Sequence, residues 1–369
     1  MRSLLALDLA LGLELERSIR ECVNSATPFC VLDQRVSSAR TRAELELLGA
    51  GEILSPEGRV IRPQGRMVED DIGLVILTSG SSGTPKAAQL SWSALSASAT
   101  LTQSFLRGTR TPVWFPCLPA NHIGGLAVVL RSIFADATLV WGDVDDLANG
   151  VRNGATHIAV VRTQLARHDL RAYERVLLGG ARPPSTVDAN VVATWGMTET
   201  GSGVVYDGIA LPGVDVESAN GQIIVRSPTL FRSYRHEARP RIIGSDGRDD
   251  WFPTGDAGDV ANGRVTVRGR LGYVINTGGE KIWPEDLETI IASVPGVEDV
   301  AVLGVDDPEW GQRVVALVVG DAASLEPAIR ALSSERLGPW AKPKEVRRVK
   351  AIPRTSNGKI RRGELTSLL

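Results

Sequence analysis

The chain has 369 residues, 43% of them hydrophobic, which is more than one core usually organises and enough to fill about two or three structural units. Its 41 basic and 43 acidic residues leave a net charge of -2, which offers no electrostatic footprint for nucleic acid or an anionic membrane and favours a small-molecule substrate. Cys22, Cys30 and Cys117 are odd in number and lack metal-ligand spacing, and His122, His157, His168 and His236 form no paired motif, so neither disulfides nor structural zinc are expected.

The opening MRSLLALDLALGLELE starts like a signal peptide, but Asp8, Glu14 and Glu16 interrupt it and no small-residue cleavage site follows. No other segment approaches the ~18–20 uninterrupted apolar residues of a membrane span, so a cytoplasmic chain is expected. Before residue 70 the signals are mixed, with TRAELELLGAG (41–51) reading as a helix ended by glycine, and no function can be read there. From Asp71 to about Gly269, short apolar runs at 72–77, 111–119, 137–142, 157–162, 175–180 and 190–196 alternate with helix-like segments, the pattern of βαβ units and a largely parallel sheet. After Gly201 the period shortens to two, in 221–234 and 263–281, which predicts a small β-rich subdomain. From about Leu271 a helix (284–294), two strands (297–305, 313–320) and a helix (324–337) predict a separate α+β domain. The expected fold is α/β, with a large N-terminal domain over 1–270 and a small C-terminal domain over 271–369.

TSGSSGTPK (78–86) follows the apolar run Ile72–Leu77. Glycines let backbone N–H groups converge on phosphate oxygens, hydroxyls add donors and a lysine adds charge. Thr78, Ser79, Gly80, Ser81, Ser82, Gly83, Thr84 and Lys86 are therefore candidates for cradling a polyphosphate. A Walker A loop is excluded by spacing, since only Ser81 and Ser82 separate Gly80 from Gly83 and Ala87 follows Lys86. Taken alone, GSSG reads first as a turn beside a solvated lysine. Further along come LLGGARPP (177–184), TWGMTETG (194–201), WFPTGDAG (251–258), GRLGY (269–273), NTGGEKIWPEDLE (276–288) and PRTSNGKIRR (353–362). Singly, these also have plain readings: a strand ended by a glycine turn, an acidic loop residue at Glu199, a solvated charge at Lys359.

In this order, from about residue 70 onward, the blocks resemble the motifs of the adenylate-forming superfamily of acyl-CoA synthetases, luciferases and peptide-synthetase adenylation domains. The resemblance implies a loop at 78–86 that holds the β- and γ-phosphates of ATP while a carboxylate attacks the α-phosphate. It implies that Gly179, Gly180 and Ala181 pass beside adenine, that Trp195, where relatives usually have Tyr, stacks on it next to Gly196, and that Thr198 touches the α-phosphate. Glu199 would bind Mg²⁺, since a carboxylate beside a triphosphate needs a cation between them. Asp256 would accept hydrogen bonds from both ribose hydroxyls, for which its two oxygens are suited, with Arg270 as a second ribose contact. Lys359 would be the catalytic lysine, its ammonium stabilising charge that builds on the α-phosphoryl group. Gly279 and its neighbours would line the tunnel for the pantetheine of coenzyme A. The C-terminal domain would turn about Leu271–Gly272 between the two half-reactions, with glycine where the family usually has Asp or Lys.

LPANHIGGLAVVLRS (118–132) and ATHIAVVRTQLARH (155–168) are similar to segments of the 2-succinylbenzoate–CoA ligases of menaquinone biosynthesis, with Gly124 in place of a frequent Ser and Arg162 in place of Pro. About 70 residues precede the phosphate loop, fewer than in most of the family, which implies a small acid. 2-Succinylbenzoate is a dicarboxylate, and its unactivated carboxylate needs a cation or donors. Asn121, His122 and Arg131 are the candidates, His122 being also the catalytic candidate of its segment. The implied reaction takes 2-succinylbenzoate, ATP and coenzyme A, with Mg²⁺, to the acyl-CoA, AMP and diphosphate. Another small aryl or short-chain acid, or a carrier-protein thiol, is the alternative within this chemistry. A catalytically inactive nucleotide-binding module is the alternative outside it, and the presence together of Lys86, Glu199, Asp256 and Lys359 speaks against it. Monomer and homodimer both stay open.

Overall fold

Residues 1–70, in which the sequence shows no function, build more than half of a sheet. The computed structural model describes residues 1–78, 85–106, 111–184, 186–355 and 358–369. Its first sheet runs, in spatial order, Ser233–Tyr234, Lys86–Ser91, Ile72–Thr78, Phe29–Val31, Leu5–Leu7, Glu52–Ser55 and Gly58–Ile61. Leu5–Leu7 pairs in parallel with the strands on either side of it, and the outer pairs at both edges are antiparallel. The helix expected over 41–51 spans Ser38–Leu48, starting earlier because the Ser37 hydroxyl accepts the Arg40 N–H as an N-cap.

A second seven-stranded sheet has the order Ile209–Ala210, Ser202–Tyr206, Val191–Met197, Arg175–Gly179, His157–Val161, Val113–Phe115, Thr138–Leu139. From Thr138–Leu139 to Val191–Met197 its neighbours are parallel, as the βαβ pattern predicts. These strands read as continuous apolar runs because Ile158, Val160, Val176, Leu178 and Val191 pack into one core while Ala159 and Leu177 are buried from the other face. Both sheets are nonetheless mixed, the first with antiparallel strands at both edges and the second at one.

The β-rich subdomain expected after Gly201 is smaller than its sequence texture. Ser202–Tyr206 and Ile209–Ala210 extend the second sheet, and Ser233–Tyr234 joins the first. What remains is a four-stranded sheet in the order Asp215–Ala219, Gln222–Arg226, Phe252–Ala261, Arg264–Arg270. A period of two identifies a strand and its buried face, but not the partner it pairs with.

The chain divides into two compact units, Met1–Val216 with Val225–Phe252, and Glu217–Ile224 with Pro253–Leu369. In the second, a five-stranded sheet orders Glu280–Ile282, Ile275–Thr277, Gly311–Val319 and Asp299–Asp307, with Glu345–Arg348 parallel beside Gly311–Val319. Val314, Ala316 and Val318 face the helices Pro284–Ala292 and Ala322–Leu337 through Leu287, Ile291 and Ile329. Val315 and Leu317 point the other way and are covered by Ile352 and Leu365 of the chain's last segment. Among the described residues no helix is long and apolar enough to cross a membrane.

Candidate functional site

The phosphate-loop motif joins two paired strands. Ser79, Gly80, Ser81, Ser82, Gly83 and Thr84 lie outside the described residues, but the strand ends flanking them are in register, Thr78 opposite Lys86. Lys86 is thereby fixed at the first position of its strand. Its Nζ lies 2.7 Å from Glu237 Oε2 and 4.9 Å above the ring of Tyr234. Tyr234 in turn donates its hydroxyl to Glu199 Oε1 at 2.9 Å, and the Glu199 backbone carbonyl accepts the Phe231 N–H at 2.8 Å. The strand Ser233–Tyr234, registered on Gln89 and Ala88, thus links the loop lysine to the candidate metal carboxylate.

Glu199 sits in a single turn, Thr198–Thr200, that follows strand Val191–Met197. The turn is held from inside by Thr200, whose hydroxyl receives the Met197 N–H at 2.8 Å and reaches the Ser202 carbonyl at 2.7 Å. Gly196 is there because the chain doubles back closely: a Cβ would stand 2.1 Å from the Ser202 carbonyl oxygen, and the register shifts between Trp195 and Gly196. Trp195, Thr198 and Glu199 are half-buried. The neighbouring parallel strand Arg175–Gly179 ends at Gly179, with Gly180 and Ala181 exposed just beyond it. The nucleotide candidates of 179–181 and 195–199 therefore share the carboxyl end of one parallel sheet, where α/β folds bind ligands.

His122 occupies the N-cap position of helix Ile123–Phe134. Nearby, Arg35 pairs with Asp33 at 2.7 Å and reaches Asn121 Oδ1 at 3.5 Å. Burial works to raise the Asp33 carboxyl, but the Arg35 hydrogen bonds and charge, with a contribution from His122, hold it below the usual range. Arg131 is on the same helix but only 2% exposed, its guanidinium stacked 4.4 Å from the Trp114 ring. Its Nε and Nη1 have no hydrogen-bond partner among the described residues, and burial pushes its pKa down despite Tyr206. Arg162 is exposed at the start of the short helix Arg162–Arg167.

In the second unit, Asp256 and Arg270 face each other across adjacent strands and are joined at 3.0 Å, with Asp256 8% exposed. Arg270 also donates to the Thr254 carbonyl at 2.7 Å. The pair presents a carboxylate already oriented by a guanidinium. Ile275–Thr277 and Glu280–Ile282 form a tight hairpin whose two connecting glycines, Gly278 at φ 58° and Gly279 at φ 87°, take the left-handed conformations that a type I′ turn demands. Lys359 is exposed on a turned segment in which its carbonyl accepts the Thr355 N–H at 2.8 Å. Two arginines anchor that segment: Arg354 on Asp299 at 2.6 Å, and Arg362 on Glu288 at 3.0 Å and Glu285 at 3.1 Å. Burial opposes the Arg362 charge, and the two glutamates more than offset it.

Sequence reasoning missed Tyr234 and Glu237. Glu237 is 151 residues from Lys86, and SYRHE carries no recognisable spacing; only the strand pairing of 233–234 reveals them. No group of three or more His, Cys, Asp or Glu that could hold a metal ion occurs among the described residues. One carboxylate, Glu199, beside a phosphate site still fits Mg²⁺, which keeps waters and takes one or two carboxylates together with phosphate oxygens.

The family described as AMP-binding enzyme matches residues 23–235, and that described as AMP-binding enzyme C-terminal domain matches residues 286–359. A Mycobacterium tuberculosis protein named "Probable 2-succinylbenzoate--CoA ligase" is 37% identical over 330 residues, covering 81% of this chain and 85% of its own length. The Escherichia coli 2-succinylbenzoate--CoA ligase is 32% identical over 305 residues, 77% of this chain and 66% of that protein. Among solved structures, the Bacillus subtilis o-succinylbenzoate CoA synthetase in complex with the acyl-adenylate OSB-AMP superposes with a TM-score of 0.83 at 24% identity, over 98% of this chain and 88% of that one, and shares its fold. With more than half its length inside the first match, and the segment bearing Lys359 ending the second, the chain belongs to the AMP-binding enzyme family.

Proposed function

We propose that this chain is an AMP-forming acid–thiol ligase that converts 2-succinylbenzoate, ATP and coenzyme A into 2-succinylbenzoyl-CoA, AMP and diphosphate, a step of menaquinone biosynthesis. In the first half-reaction a carboxylate oxygen bonds to the α-phosphorus as the bond from that phosphorus to the bridging oxygen breaks and diphosphate leaves. In the second the thiol sulfur bonds to the acyl carbon as the bond from that carbon to the phosphate oxygen breaks, so that AMP leaves and the thiol proton is released to solvent. The observation that carries the reading is the tie of Lys86 to Glu199 through Tyr234, which joins a phosphate cation and a metal carboxylate at the site where the family match runs.

Lys86 and the loop 78–84 take the β- and γ-phosphates, Thr198 the α-phosphate, and Trp195 with Gly179, Gly180 and Ala181 the base. Asp256, fixed by Arg270, receives the ribose hydroxyls. Glu199 would hold Mg²⁺, which supplies neutralisation of the phosphate charge when bound. Lys359 supplies a second cation at the α-phosphoryl group, and the hairpin at Gly279 borders the thiol. The working division is a nucleotide- and acid-binding domain over 1–270 and a mobile domain over 271–369, turning at Leu271–Gly272 so that each orientation presents one of these two groups. For the acid, Arg131 supports a diacid: a buried guanidinium with two unmatched nitrogens is costly unless an anion reaches it, and the distal carboxylate of 2-succinylbenzoate is such an anion. His122 and Asn121 flank the same helix. The reading places the chain in the cytoplasm, where ATP and coenzyme A are supplied.

The test is ATP–diphosphate exchange with purified protein over a panel of acids. Exchange is expected with 2-succinylbenzoate and not with benzoate, and AMP is the nucleotide product. Formation of ADP, or equal exchange with monocarboxylates, would overturn the chemistry or the substrate respectively.

A further inference from the structure

Glu237 belongs to none of the nucleotide-binding motifs, yet its carboxylate holds the ammonium that those motifs reserve for phosphate. Lys86 Nζ lies 2.7 Å from Glu237 Oε2. The contact is built in by the backbone: Tyr234 pairs with Ala88 two residues along from Lys86, and the Tyr234 N–H donates to the Glu237 carbonyl at 2.9 Å, closing a turn that returns Glu237 to the lysine. A carboxylate in this place repels an incoming triphosphate as long as it stays paired, so the pair must open for phosphate to be bound by Lys86. Opening costs little, because the two side chains are 37% and 57% exposed and water can take over the solvation of Glu237. The lysine does not lose its place when the pair opens. The Tyr234 ring remains beneath Nζ at 4.9 Å, and the Tyr234 hydroxyl remains on Glu199.

Resting on the ligase reading above, we infer that Glu237 is a stand-in anion for Lys86, exchanged for the β- and γ-phosphates when Mg-ATP binds, and that it sets how strongly the site prefers polyphosphate over AMP. The bond exchanged is a salt bridge, so no covalent step is involved. A role for Glu237 as a second metal ligand is disfavoured by its engagement with a cation and by the lack of any three-member ligand cluster among the described residues.

The test is calorimetric titration of the full-length chain, unsubstituted and as Glu237→Gln and Glu237→Asp, with Mg-ATP, Mg-diphosphate and AMP at low and high salt. Glu237→Gln should bind Mg-ATP and Mg-diphosphate up to about fivefold tighter, which is the ~1 kcal/mol ceiling of an exposed ion pair converted at 1.4 kcal/mol per tenfold. AMP, which carries no β- or γ-phosphate, should bind unchanged. Glu237→Asp, which restores an anion on a shorter stem, should fall between the two, and the gain should shrink at high salt. A merely structural role would shift all three ligands together. An unchanged or weaker affinity of Glu237→Gln for Mg-ATP, or an equal shift for AMP, overturns this inference while leaving the ligase reading intact. An unsubstituted chain that binds neither Mg-ATP nor Mg-diphosphate overturns both.

Discussion

The Tyr234 hydroxyl donates to Glu199 Oε1 at 2.9 Å, across 35 residues of sequence, from an edge strand of the first sheet to the turn that follows a strand of the second. Glu199 is therefore aimed by a side chain from outside its own motif. Tyr234→Phe keeps the ring under Lys86 and removes this hydrogen bond. The Mg²⁺ concentration that half-saturates ATP–diphosphate exchange should rise about fivefold, equivalent to ~1 kcal/mol of lost orientation. A magnesium titration of the variant measures it directly, and an unmoved midpoint would mean that Glu199 needs no such support.

Arg131 offers a separation between stability and substrate binding. Arg131→Met keeps a long unbranched stem against Trp114 and removes a buried charge whose Nε and Nη1 lack partners among the described residues. Replacing a buried, incompletely satisfied charge with an apolar side chain of similar length is often neutral or stabilising. The melting temperature should stay level or rise, while KM for 2-succinylbenzoate rises by about tenfold or more and KM for ATP holds. Were the diacid KM unchanged, Arg131 would be a packing residue.

Lys359 is exposed, so Lys359→Ala should change stability by no more than about 0.5 kcal/mol. Acid-dependent diphosphate release should nonetheless fall by about a hundredfold or more, the scale of losing one charge-stabilising donor. Thiolysis of supplied acyl-adenylate should continue at close to the original rate. Parallel loss of both half-reactions would contradict their assignment to two orientations of the C-terminal domain.

Gly272 and Gly279 differ in a way that substitutions can read. A Cβ on Gly272 meets nothing within 4 Å, and its φ lies outside the left-handed region, so Gly272→Ala is tolerated by the fold and should raise stability by ~0.4–1 kcal/mol through the unfolded state. Each half-reaction measured alone should be normal, and only steady-state turnover, which under the proposed pivot needs movement between them, should slow. Gly279→Ala instead forces a side chain into φ 87° and should destabilise the hairpin by ~1–2 kcal/mol. Thiolysis should suffer more than adenylation, and stopped-flow comparison of the two steps distinguishes the cases.

The parts of this molecule legible in its sequence are those with local causes. The strands at 72–78, 157–161, 175–179 and 191–197 follow from apolar runs between helices, and the C-terminal pattern of helix, two strands and helix lies within a few residues of its observed bounds. Asp256 and Arg270, proposed separately as ribose contacts, turn out to be cross-strand neighbours. What escaped is what depends on distant pairing. Leu5–Leu7 and Phe29–Val31 are three-residue strands, too short to show a period, and are held in place by the strands on both sides of them. Ser233–Tyr234 has only two residues, and nothing in SYRHE announces that its tyrosine meets Glu199 or that its glutamate meets Lys86. Arg131 was visible as a cation on an apolar helix, but not its burial against Trp114.

The cover that Ile352 and Leu365 place over Val315 and Leu317 has a consequence for biosynthesis. Every strand of the small sheet is translated before Ile352 and Leu365, so its second face stays open to solvent until the segment that carries them has been made. Lys359, proposed to act at the α-phosphoryl group, lies between the two covering residues. A nascent or prematurely terminated chain thus cannot have a finished small unit without also having Lys359 in place, and truncated products that end between Arg348 and Ile352 should be recognised by quality control through the apolar sheet face they leave bare.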